Sequence, residues 1–187
     1  MTTVPSTRER RDLLETLDKH RGFLRFTARD LSDVQATQRT TVSALTVAGI
    51  IKHVAATEHA WMQFVVGGAA GMAAGVGDYE HQFVLLPGET LAGVLDRYAE
   101  VARNTTSIVD DVADLDADHP LPEAPWFERG ARWSARRVLL HLIAETSQHA
   151  GHADIIREAL DGAKTMGRAH RERASAVSTR LPQRVPC

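Results

Sequence analysis

The sequence has a single cysteine, and it is the last residue, Cys187. No internal disulfide can form, so a disulfide framework and redox chemistry by an internal cysteine pair are both excluded. Charge of one sign is also missing: 22 Lys and Arg against 24 Asp and Glu leave a net charge of -2, and no cationic field gathers nucleic acid or anionic lipid. No stretch reaches the roughly 18 consecutive apolar residues of a membrane span, and the opening MTTVPSTRER holds no apolar signal core. The expectation is a soluble cytoplasmic protein with no membrane and no nucleic-acid partner. The chain has no P-loop, dinucleotide glycine fingerprint, HExxH or G-x-S-x-G elbow, which removes the commonest nucleotide, zinc-protease and serine-hydrolase chemistries. What is present is 187 residues with 43% apolar and 25% charged side chains, enough for one folded domain. Aromatics are only 5%, yet there are nine histidines.

Apolar periodicity predicts four long helices and no strand. Leu13, Leu17, Leu24 and Ala28 mark one face of a helix over 8–30, and a polar connection with at most one helical turn follows. Thr46 caps a second helix whose Val47, Ile50, Ile51, Val54, Trp61, Met62 and Val65 cover most of its circumference, so it is central, with His53 on its inward side. Five glycines between Gly67 and Gly77 predict a long loop over 67–89 across one end of the bundle. A third helix runs from Thr90 to about residue 113. The connection 113–133, rich in Pro and containing Gly130, is expected to be pinned to the bundle by Trp126 and Trp133. Ser134 opens the fourth helix and Gly162 closes it. The fold class is all-α, an antiparallel four-helix bundle over residues 1–165, with 166–187 a flexible basic tail.

Histidines concentrate in HLIAETSQHAGH, residues 141–152. His141, Glu145, His149 and His152 fall within about 80° of arc on one helix face. Glu145 and His149, four apart, can ligate one ion, and His53 on the central helix is the best third donor; two His and one Glu leave an open coordination position. Spacing alone leaves a second reading open, in which the face is solvated and Glu145–His149 is a plain i,i+4 ion pair. A ferritin-like dinuclear site does not fit, because it needs two Glu-x-x-His pairs and His149 follows Glu145 by four. Glu58 and His59 read as surface or bundle-edge residues, and Arg157, two turns beyond His149, as solvent-facing, with contact to an anionic substrate group as the alternative. His20, His81, His119 and His170 belong to no cluster.

GIIKHVAATEHAW, followed about ninety residues later by RVLLHLIAETSQHAGHADIIREALDG, resembles the DinB/YfiT-like superfamily. Within it, the chain is similar to the DUF664 branch related to mycothiol-dependent maleylpyruvate isomerase and mycothiol S-transferases, over roughly residues 8–165. The resemblance implies a four-helix bundle with one divalent metal, Zn2+ in the first instance and Ni2+ or Fe2+ as alternatives. It implies the ligands His53, Glu145 and His149, Glu145 matching the mycothiol-linked branch where many members have His. It further implies a homodimer and a small-molecule thiol attacking an electrophilic substrate, an S-transferase that needs no cysteine of its own. The isomerase's C-terminal domain has no counterpart here, so isomerisation is not expected. The rival is a non-catalytic, stress-associated metal-binding bundle.

Overall fold

A computed structural model of the chain describes residues 7–75 and 80–165. Among them are α1 (Thr7–Thr27), the one-turn α2 (Asp33–Ala36), α3 (Val47–Gly75), α4 (Leu91–Asp111), β1 (Asp118–Pro120), β2 (Arg132–Ser134) and α5 (Ala135–Asp161). The expected tail 166–187 lies outside the described residues. No helix among the described residues is long and apolar enough to cross a membrane.

The ends follow local chemistry. Thr90 and Ser134 accept hydrogen bonds from the backbone N–H three residues on, at Gly93 and Arg137, and Gly162 takes the left-handed C-cap conformation at φ 75°. Ser32 and Gln35 form a reciprocal capping box on α2.

Ion pairs and side-chain hydrogen bonds fix the helix directions. Arg136 at the start of α5 pairs with Glu9 at the start of α1, and Arg157 near the end of α5 donates to the Thr27 carbonyl at the end of α1, so these two run parallel. Arg10 donates to the carbonyls of Val109 and Val112 at the far end of α4, which therefore opposes α1. Within the other pair, α3 and α4 run parallel: Lys52 meets Glu89 just ahead of α4, and Glu58 meets Thr105 farther along. The bundle is thus two parallel pairs set antiparallel to each other, and the chain must travel back along α3 before α4 begins.

That return is where the structure departs from the expected loop over 67–89. Gly67 and Gly68 break α3, Gly68 at φ 62° and ψ -152°, and the chain becomes helical again through Gly75. The second arm folds back on the first so tightly that a Cβ on Gly71 would lie 2.4 Å from the Gln63 carbonyl oxygen. Here the glycines permit close packing between helical arms. A second difference is the short antiparallel hairpin β1–β2, with His119 opposite Trp133, inside the connection expected to be free of strands. Trp133 does pin that segment, stacked on Trp61 at 4.7 Å. Trp126 does not; it is 70% exposed.

Two apolar clusters fill the interior. One gathers Leu24, Ile50, Ile51, Val54, Val94 and Ile156, the other Leu17, Trp61, Met62, Phe64, Val138 and Leu142. Between them lies a polar layer to which all four long helices contribute: Arg21 from α1, Glu58 from α3, Tyr98 and Thr105 from α4, and Thr146 from α5, each buried. Glu58 accepts from Arg21 Nε at 3.0 Å, from a second Arg21 nitrogen and from the Thr105 hydroxyl.

Candidate metal centre

His53 sits in the second turn of α3 between the buried Ile50 and Val54, which turn it toward α5. Glu145 and His149, one helical turn apart on α5, face it. Glu145 Oε1 is 3.2 Å from His53 Nε2 and 3.2 Å from His149 Nε2, and one ligand atom from each of the three residues lies within 4.8 Å of the others. Both histidines are only 9% exposed. Hydrogen bonding with His149, then with His53, holds the Glu145 carboxyl well below the usual carboxylate range, against the opposing effect of burial.

The donors fit a metal ion. Nitrogen and oxygen ligands about 2.0–2.2 Å from a tetrahedral centre stand about 3.3–3.6 Å apart, close to the two 3.2 Å separations here. Two imidazoles and one carboxylate are also a donor set that zinc and its first-row neighbours accept.

Residues 12–162 match the family model described as Mycothiol-S-transferase. The chain belongs to the mycothiol S-transferase family. Comparison with curated proteins and comparison with solved structures found no match. In this family member the other histidines fall away from the triad to different degrees. His152 adjoins it, its Nδ1 3.5 Å from Nδ1 of His149. His141 packs edge-on against Trp61 at 5.1 Å and Trp133 at 5.2 Å, and burial lowers its pKa. His119 lies against Gly68, His20 against Phe23, and His59 on the α3–α4 surface beside Arg97; His170 is outside the described residues.

Two residues read from the sequence as surface or bundle-edge are buried. Glu58 is 0% exposed in the polar layer. Arg157 is 5% exposed and donates to the carbonyls of Thr27 and Arg29 while pairing with Asp161, so it caps the end of α1 and lies away from solvent.

Two neighbours of His53 were not foreseen. Gln82 Oε1 lies 2.8 Å from His53 Nδ1, and the Phe83 ring stacks on the imidazole with centroids 4.0 Å apart. Both come from the segment the glycine count marks only as a loop, and nothing in its local pattern signals the contact.

Proposed function

We propose that this chain is a divalent-metal-dependent S-transferase that joins a low-molecular-weight thiol of the mycothiol type to an electrophile, with His53, Glu145 and His149 as the metal ligands. The observation that carries the reading is the meeting of these three donors from α3 and α5 within 4.8 Å, in a chain of the mycothiol S-transferase family. A divalent ion held there, Zn2+ first and Ni2+ or Fe2+ as alternatives, supplies Lewis acidity that draws a thiol's pKa below its free value of about 8.5.

The chain's own residues set the terms. His53 and His149 contribute neutral Nε2 donors and Glu145 one negative charge, so a divalent cation among them keeps a single net positive charge, the amount one thiolate cancels. Three protein donors leave a position for that thiolate. The Phe83 ring over His53 and the Trp61–Trp133 stack beside His141 give the neighbourhood apolar walls, which strengthen the electrostatics by keeping water out. Leu140, Ala144, Ser147, Gly151 and Ile155 form a charge-free exposed stripe along α5, and the reading takes it as the contact face of a cytoplasmic homodimer.

The test mixes zinc-loaded protein with mycothiol, bacillithiol or glutathione and monochlorobimane, and follows conjugate formation. Conjugation with at least one thiol is expected, falling to the uncatalysed rate in His149→Ala, with at least half a metal per wild-type chain by elemental analysis. An equal rate in wild type and His149→Ala, or metal without any conjugation, overturns the transferase and leaves a metal-binding bundle without catalysis.

A further inference from the structure

We infer that Gln82 is a positioning residue for His53: its amide oxygen accepts the single imidazole N–H at Nδ1 and so turns an unprotonated Nε2 toward Glu145 and His149. The inference rests on the metal reading above and adds the group that sets the ligand's tautomer. A neutral imidazole carries one N–H. Gln82 Oε1 at 2.8 Å from Nδ1 is placed to hold that proton there, which frees the Nε2 lone pair for a cation shared with the carboxylate oxygen 3.2 Å away. Without the cation the carboxylate competes for the same proton by accepting it from Nε2. Partners of this kind on the remote nitrogen of a ligating histidine orient the ring and raise its basicity.

The segment carrying Gln82 is built against α3. The Phe83 carbonyl oxygen packs where a Cβ on Gly49 would stand, 1.9 Å from it, so only glycine at 49 admits the segment. The Phe83 ring covers the His53 face, its plane 23° from the imidazole. Lys52 donates to the Val84 carbonyl at 2.9 Å and pairs with Glu89, which accepts from the Leu86 N–H. Gly49, Lys52 and His53 lie within about one turn of one helix, so Gln82 is fixed to the same rigid element as the ring it orients. An amide at 82 also leaves the donor set with one negative charge, where a carboxylate would add a second.

Two readouts test this. Zinc affinity is measured by chelator competition for wild type, Gln82→Ala, Gln82→Glu and Val84→Ala, and NMR of the zinc-loaded protein reports how fast the His53 Nδ1 proton exchanges with solvent. Gln82→Ala is expected to weaken zinc binding about 10- to 100-fold. Gln82→Glu should restore it to within about threefold of wild type, as a carboxylate accepts the same N–H, and Val84→Ala should leave it unchanged. In the zinc-loaded proteins the His53 Nδ1 proton should exchange with solvent several-fold faster in Gln82→Ala than in wild type. Wild-type affinity in Gln82→Ala while His149→Ala loses zinc overturns the inference and leaves the metal reading standing; equal weakening by Val84→Ala overturns it too. Equal exchange of the Nδ1 proton in both zinc-loaded proteins rules Gln82 out, and a wild type that binds no zinc, nickel or iron overturns the metal reading and this inference with it.

Discussion

A fully buried carboxylate survives only when its oxygens are met, and Glu58 is met by two Arg21 nitrogens and the Thr105 hydroxyl. Removing one member strands the other charge in the interior. Glu58→Ala is therefore expected to lower stability by about 3–5 kcal/mol, read as a lower urea midpoint at unchanged slope, whereas Glu100→Ala on the exposed Arg97–Glu100 pair should leave the midpoint where it is in wild type. At this scale the sequence was legible for the candidate donors on α5 and opaque for the interior. Glu145 and His149 announce themselves by falling one turn apart on one helix. Glu58 and Arg157 carry no such mark: a charged residue reads as solvent-facing until its partner is known, and Arg21 and Thr27 lie far off in the chain. Gln82 was hidden for the same reason.

Helix ends were legible where the capping residue acts on its own turn, as at Thr90, Ser134 and Gly162. The glycine-rich stretch after residue 66 was not, because glycine there serves contact between two helical arms and composition cannot separate that use from a loop. Gly49 makes the same point inside α3. In an isolated helix Gly49→Ala would gain up to about 1 kcal/mol, but here the added methyl meets the Phe83 carbonyl at 1.9 Å. The variant is expected to push residues 81–86 off α3, seen as faster proteolysis in that segment and zinc affinity weakened about as much as in Gln82→Ala. Wild-type behaviour on both counts would show that the close approach does not hold the segment.

Across the whole molecule, the four-helix class was legible from periodicity, while the parallel pairing of α1 with α5 and of α3 with α4 was not, since amphipathic faces do not encode direction. The polar layer between the two cores also gives the molecule an alkaline limit. Burial first, and the Glu58 charge second, raise the pKa of the Tyr98 phenol well above its ordinary value. A phenol whose folded pKa is raised contributes stability in full below the unfolded pKa of about 10, and loses it as pH climbs toward the folded value. Stability should therefore fall with rising pH above about 10, and Tyr98→Phe should flatten that slope in denaturant titrations at a series of pH values. An unchanged slope would locate the alkaline limit elsewhere.

The buried Arg21–Glu58 pair also works as a vernier between helices. Sliding α3 along α1 by one turn, about 5.4 Å, would leave apolar contacts to re-form with other apolar neighbours, but it would separate two desolvated charges. Glu58 lies five residues beyond His53 on the same rigid helix. The alignment that keeps this pair together thus sets the height at which His53 meets Glu145, and an ion pair remote from the candidate metal centre fixes whether its three donors share one level.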